Sequence, residues 1–411
     1  MSYWWRKLDN TAKVFSLDEK RNNNTFRLSV ILKEKIDPKV LEQATIQTLN
    51  TYPSYKVKIK TGFFWNYLEM NEKVPIIKKE KGIPCESIHF KENNDYLFKV
   101  TYFYNKINLD IFHVLTDGLG ASKFFKELLY NYLDLKYHLK INSRIKTKVD
   151  PVQDENLKNV DKKLISNKYY KKAFFIKEKS NLLNNKTYHY ILDLQKFKTI
   201  CKKKNASITE YLTALYIYAI YQTVYDKKSS KDIIVSIPID LRKYYNVESF
   251  SNFFTCMSVE GNVVNNKNNS FENILKQVQK EFKNKLTIEN VKKYLSRDVK
   301  LGTNIAIRLV PLFIKKVFMQ RFGKLVNQAS TTTLSNIGSM EIDEPYKKYI
   351  DNIVVLVSTG KIQKVKCTIC SYENNLNVTI NSNLTSNHLE NKFYELLKEH
   401  IGEIELKSNV V

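Results

Sequence analysis

Cysteine is scarce and unpatterned. Five cysteines in 411 residues, an odd number without framework spacing, argue for a reducing, cytoplasmic setting. Long apolar runs are missing as well. No stretch reaches the roughly 18 consecutive apolar residues of a membrane span. The opening, Met1 to Asn10, carries two tryptophans and mixed charge without an apolar centre, so no secretory leader is expected. Arginine, the usual reader of base edges, is sparse among dispersed basic residues. The net charge of +25 is therefore read as a lysine-rich surface or attraction for a phosphate-bearing small ligand, and no nucleic-acid partner is expected. Cys367-Thr368-Ile369-Cys370 has no second pair and no suitable histidine nearby, so no metal site is expected. Both cysteines read as strand residues facing opposite sides. There is no clear tandem repeat.

What is present supports sizeable cores. Hydrophobic residues make up 43% of the chain, and 26 Tyr with 22 Phe suit filled interiors or apolar channels. The length exceeds most single cores, so two domains are expected. Trp4, Trp5, Leu8 and Val14 read as core contacts of an entry segment. Phe26–Leu32 alternates like a half-buried strand, and Asp37-Pro38 opens a helix that Tyr52-Pro53 ends. Strands are expected near 55–61, 63–69 and 74–78, then over Tyr96–Tyr104 and Lys106–Phe112 with Asn105 in the turn. Residues 141–185, rich in Lys and Asn, read as an interdomain crossover between lobes 1–140 and 186–411. In the second half, Ser207-Ile208-Thr209-Glu210 has the capping-box pattern ahead of an apolar helix. Ile233–Ile237, Phe250–Val264, Thr331–Gly338, Ile353–Ser358, Gln363–Ser371 and Leu376–Asn381 read as strands. Phe271–Leu286 and Ser386–Ile401 read as amphipathic helices. Ile305 to Val326, apolar and basic and interrupted by Pro311, reads as core packing with a solvated lysine rim; the competing reading is a basic helix in peripheral contact with a membrane.

One stretch carries the chemistry: Phe112-His113-Val114-Leu115-Thr116-Asp117-Gly118-Leu119-Gly120, between an alternating segment and an apolar-periodic one. Histidine is the side chain best matched to proton transfer near neutrality. Spacing alone leaves two readings open. Asp117 orients His113 as in a triad, or Asp117 holds the turn with a distant arginine beside a separate histidine. His89, His138, His189, His388 and His400 lack a partner pattern.

His113-Val-Leu-Thr-Asp117-Gly118 resembles the HxxxDG signature of the CoA-dependent acyltransferase superfamily, which includes chloramphenicol acetyltransferase, alcohol acetyltransferases and condensation domains. Further segments follow in the same order. Trp5 with Lys7–Asn10 and Ala12–Phe15 looks like the opening of bacterial alcohol acetyltransferase-like members. Pro238–Arg242 resembles the segment ending in a structural arginine, Ser251–Phe254 the Asn-containing strand, and Leu334–Gly338 the late Ser-Asn-x-Gly strand end. The Asp-Phe-Gly-Trp-Gly signature of the plant enzymes is absent.

The resemblance implies an α/β fold of two chloramphenicol-acetyltransferase-like lobes, related by a pseudo-twofold, with a tunnel between them. It implies an O-acyltransferase in which His113 is the general base and no covalent acyl-enzyme forms. Asp117 would be structural and paired with Arg242, and Gly118 would allow a backbone conformation that a side chain hinders. For the oxyanion, Ser335 is the candidate donor, with Asn336 and Thr333 beside it, against the reading that all three end a strand. Asn252 reads as structural. Acyl-CoA, acetyl-CoA above all, would be a co-substrate rather than a resident cofactor, with a small alcohol or amine as acceptor. Two other readings stand beside this one: a condensation-type enzyme using a carrier-protein thioester, and an inactive binding protein of the same fold.

Overall fold

The computed structural model describes residues 4–17, 24–139, 154–161, 164, 171–182, 185–265 and 268–410. Their strands form three sheets. A small sheet has the order β1 (Trp5–Lys7), β4 (Asn66–Met70), β3 (Val57–Thr61). The N-terminal lobe is built on five strands in the order β12 (Ile350–Val357), β2 (Thr25–Leu32), β7 (Lys106–Phe112), β6 (Phe98–Phe103), β5 (Ile77–Lys79). The C-terminal lobe has seven, ordered β10 (Phe254–Glu260), β9 (Ile234–Asp240), β11 (Thr332–Ser339), β13 (Val365–Tyr372), β14 (Asn375–Ser382), β8 (Lys186–Asp193), β15 (Glu405–Ser408). The expected α/β architecture is present.

Alternation explains β2. Phe26, Leu28, Val30 and Leu32 enter the N-terminal core, where they meet Leu41 and Ala44 of the helix Pro38–Thr51 and Phe124 and Leu128 of the helix Gly118–Tyr137. The intervening Arg27 and Ser29 are buried too, and there polar partners are required. Arg27 donates from Nε and Nη2 to Asp110 at 2.7 Å and also pairs with Glu80, while Ser29 donates to Asn108 Oδ1 at 2.7 Å. In the other lobe the expected capping box is formed: Ser207 Oγ accepts from Glu210 N, and Glu210 accepts from Ser207 N. The helix it starts, Ile208–Thr223, is central to the second core. Cys367 points into that core and Cys370 into the N-terminal one, as positions three apart on a strand require.

Several expectations change. Trp5 is 56% exposed, and Trp4 and Val14 are exposed as well, so of the entry segment's expected core contacts only Leu8 is buried. The helix Ile288–Thr303 was not legible as a separate element; Val291, Leu295 and Val299 pack it against Leu241 and Phe253. The segment from Ile305 is two helices, Ile305–Leu309 and Leu312–Asn327; Leu312 is buried, but Ile305, Leu309, Phe313, Ile314, Val317, Phe318 and Leu325 are exposed rather than packed in a core. Residues 186–411 are not confined to one sheet either. The chain leaves the C-terminal sheet after β11, pairs β12 antiparallel with β2 along its length, and returns as β13. Met340, Ile342, Tyr346 and Ile350 accordingly pack in the N-terminal core. Of the expected crossover 141–185, residues 141–153, 162–163, 165–170 and 183–184 lie outside the described residues; Glu155–Asn159 is a short helix.

Candidate active site

β7 ends at Phe112, and the turn that follows puts His113 at the seam between the lobes. The ring is half-buried among Phe15, Phe26 and Phe254, with centroids at 4.5, 4.8 and 5.4 Å. Its Nδ1 lies 3.0 Å from Asn252 Oδ1. The orientation of that amide is fixed by its other end, because Asn252 Nδ2 donates to His113 O at 3.0 Å and to Asp9 Oδ2 at 3.2 Å. Oδ1 is therefore the acceptor, and Nδ1 must carry the ring proton. Nε2 is left unprotonated, without a hydrogen bond among the described residues. Burial lowers the His113 pKa below its usual 6.5, and the Lys366 ammonium pushes the same way, against Asp117 and the Asn252 bond. A neutral imidazole with a bare Nε2 can accept a proton.

Asp117 does not orient the ring. It caps the helix Gly118–Tyr137, accepting from Gly120 N at 3.0 Å, and accepts from Phe253 N at 2.9 Å. Arg242, two residues past the β9 end at Asp240, meets it bidentately: Nη1 to Oδ2 at 3.0 Å and Nη2 to Oδ1 at 3.1 Å, both side chains 7% exposed. The remaining guanidinium donors go to Ser249 O, Ser251 O and Asp240 Oδ1. One ion pair thus ties the histidine turn to the loop that carries Asn252.

Gly118 has no left-handed φ. What excludes a side chain there is Ile337 Cδ1, which a Cβ would meet at 2.7 Å. Gly120 is tighter, since a Cβ would lie 2.7 Å from the Phe250 carbonyl oxygen and against the Thr116 hydroxyl. Ile337 also brings the end of β11 onto the motif. On that strand Ser335 is buried and its hydroxyl has no partner among the described residues. Thr333 donates to Gln363 Oε1 at 2.8 Å. Asn336 is exposed and spans Thr209 Oγ1 and Gly338 N.

Two contributors were missed by reading the sequence. Asp9 caps the helix Asn10–Leu17 through Ala12 N and holds the Asn252 amide; burial raises its pKa to about 6. Lys366, held down to about 8 by burial, is the cation acting on His113. A cavity of about 440 Å³ lies beside the turn, lined by Asp9, Lys13, Val114, Leu115, Asp154 and Ser251 among others. Elsewhere, His189 bonds Thr379 and His400 bonds Tyr211. Among the described residues no group of three or more His, Cys, Asp or Glu is gathered as for a metal.

No protein-family model matches the chain, and no curated protein matches it. Solved structures do. The first condensation domain of the CDA synthetase superposes with a TM-score of 0.65 at 12% identity, covering 97% of each chain. The fold is that of acyltransferases and condensation domains. TRI3 trichothecene 15-O-acetyltransferase from Fusarium sporotrichioides gives 0.63 at 12% identity, covering 97% of this chain and 95% of that one. The starter condensation domain of rhizomide synthetase, solved in complex with C8-CoA, gives 0.60 at 11% identity with 98% of each covered. The β7 end and the β9–β10 loop meet through the His113–Asn252 and Asp117–Arg242 contacts, and two pseudo-twofold lobes are consistent with such a fold.

Proposed function

We propose that this chain is a CoA-dependent O-acyltransferase of the HxxxDG type, similar to alcohol acetyltransferases, with His113 as its general base. The observation that carries the reading is the Asn252 amide, whose Oδ1 accepts the hydrogen bond from Nδ1–H and so leaves Nε2 bare. Nε2 would take the proton of an acceptor hydroxyl, or amine, as that atom forms a bond to the thioester carbonyl carbon. The carbonyl electrons move to oxygen, and the Ser335 hydroxyl is the donor proposed to meet that oxyanion. Collapse breaks the C–S bond, and the thiolate recovers the proton from Nε2–H. No acyl-enzyme is needed. Asn336 and Thr333 are left supporting roles, since their polar atoms are already engaged. The tunnel belongs to the same proposal, supported by the cavity beside the His113 turn. So does the lobe division 1–140, 141–185 and 186–411 in chain order, with β12 lent across. A cytoplasmic setting is supported by the five cysteines, which form no disulfide.

Thiol release from acetyl-CoA and octanoyl-CoA with a panel of alcohols and amines tests the reading. Wild type should turn over at least one pair, and His113→Ala should lose about 10²–10⁴-fold in kcat. Equal rates for the two proteins would remove the general base. The condensation-domain likeness favours a second donor, a carrier-protein thioester. Activity with carrier-bound acyl groups and none with CoA thioesters would select it.

A further inference from the structure

Helix Leu312–Asn327 has its polarity reversed. Phe313, Val317 and Phe318 are 70%, 55% and 65% exposed, and Ile314 and Leu325 are exposed as well. Their spacing places them on one face, with Arg321 among them. The buried side carries a lysine: Lys315 donates to Phe64 O at 2.9 Å and Arg308 O at 3.1 Å, its ammonium 3.8 Å from the centre of the Trp65 ring. Lys315 thereby clamps together the preceding helix and the loop at Phe63-Phe64, which add Ile305 (73%), Leu309 (66%) and Phe63 (69%) to the exposed apolar surface. Leu312 N, donating to Phe63 O at 2.8 Å, fixes the same junction.

An apolar surface of this kind needs an occupant. Charge argues which one. From Ile305 to Asn327 the sequence has no acidic residue, and Arg308 and Arg321 are exposed cations, with Lys315 buried beneath the face, in a chain of net charge +25. A twofold contact with a second copy would set this patch against itself, cation facing cation. An anionic interface instead meets both the apolar face and its cations. Beneath the patch a cavity of about 470 Å³ is lined by Trp5, Lys13, Phe64, Trp65, Tyr67 and Arg308. It is aromatic, and it shares Trp5, Lys7, Leu8 and Lys13 with the cavity beside the His113 turn.

We propose that the face formed by Phe63, Ile305, Leu309, Phe313, Val317 and Phe318 docks on an anionic lipid bilayer, which opens the aromatic cavity toward the acyl region. The docking stands on this surface alone and does not rest on the reaction proposed above. Flotation of the full chain with vesicles of phosphatidylcholine, with and without roughly one third phosphatidylglycerol, tests it. Wild type should partition at least about 10-fold more strongly onto the anionic vesicles, and added salt should weaken it. The double variant Phe313→Ser, Phe318→Ser should lose about 30-fold or more in partitioning, with an unchanged thermal midpoint because both rings are already in solvent. Arg308→Ala with Arg321→Ala should remove most of the anionic preference. The proposal is overturned if wild type stays off anionic vesicles. It is equally overturned if the serine variant floats like wild type, or if sedimentation shows a dimer that the serine variant dissolves.

Discussion

His113 owes its protonation pattern to two residues far away in sequence. Asn252 is 139 positions on, and Asp9, which holds the Asn252 amide, lies 243 positions from it. Burial lowers the ring's pKa, so neutral His113 predominates at pH 7. Protonation of Nε2 removes the base; the rate should therefore be flat near neutrality and fall only below the usual histidine range. A kcat/KM profile over roughly pH 4.5 to 8 is the measurement. Asn252→Ala releases Nδ1, allowing the proton to sit on either nitrogen, and should cost about 10-fold or more in kcat while His113 stays in place. The second residue-scale claim is structural. Arg242→Ala leaves the Asp117 carboxylate buried without its cation, and Asp117→Ala leaves Arg242 only the partly exposed Asp240 as a carboxylate partner among the described residues; each should destabilise the chain by about 3–5 kcal/mol, with the double variant well short of the sum. Denaturant midpoints for the four proteins give the coupling, and additivity would deny the pair. The contact of Asp117 with Arg242 was legible because each belongs to a short local pattern, whereas Gly118 is restricted by Ile337 and not by its own φ. Asn252 as the group that sets the tautomer, and Asp9 behind it, were not, since no local spacing encodes a contact across the seam.

At the scale of elements, patterning was most readable where one face is buried and the ends are marked. β7 spans the expected Lys106–Phe112, and the Asp37 and Ser207 caps stand where expected. It failed where burial is set by a partner from elsewhere. Trp5 reads as core from composition alone yet lies on an edge strand facing solvent. The helix Ile288–Thr303 hides its stripe of Val291, Leu295 and Val299 among charged residues, but it supports Leu241 and Phe253, the neighbours of Arg242 and Asn252. The two glycines at the head of the helix Gly118–Tyr137 also differ. A Cβ at Gly120 meets the backbone carbonyl of Phe250, which cannot move without shifting the Asn252 loop. At Gly118 it meets the free end of the Ile337 side chain. Gly120→Ala should thus cost about 1–3 kcal/mol and lower activity, while Gly118→Ala costs less. Thermal midpoints beside thiol-release rates would separate the two.

For the whole molecule, two α/β lobes were legible and their connection was not. β12 reads as an ordinary apolar strand, and nothing in its own residues says that it pairs with β2, where Val354 lies opposite Ser29. The N-terminal half lacks both an edge strand and the core residues Met340, Ile342, Tyr346 and Ile350 without it. Residues 1–140 expressed alone should therefore fail to fold cooperatively, and adding residues 186–411 in trans should restore a thermal transition. A cooperative transition for 1–140 alone would contradict this.

The lent strand also limits motion. Two lobes joined by a flexible linker can part like jaws to admit a substrate. Here, parting them would shear the β12–β2 ladder along its whole length, breaking its hydrogen bonds together rather than one by one. A latch of this kind resists opening far more than a linker does. On the function proposed above, substrates would thread to His113 through openings in a closed body, with side chains at those mouths, not the swing of a hinge, setting the rate of passage.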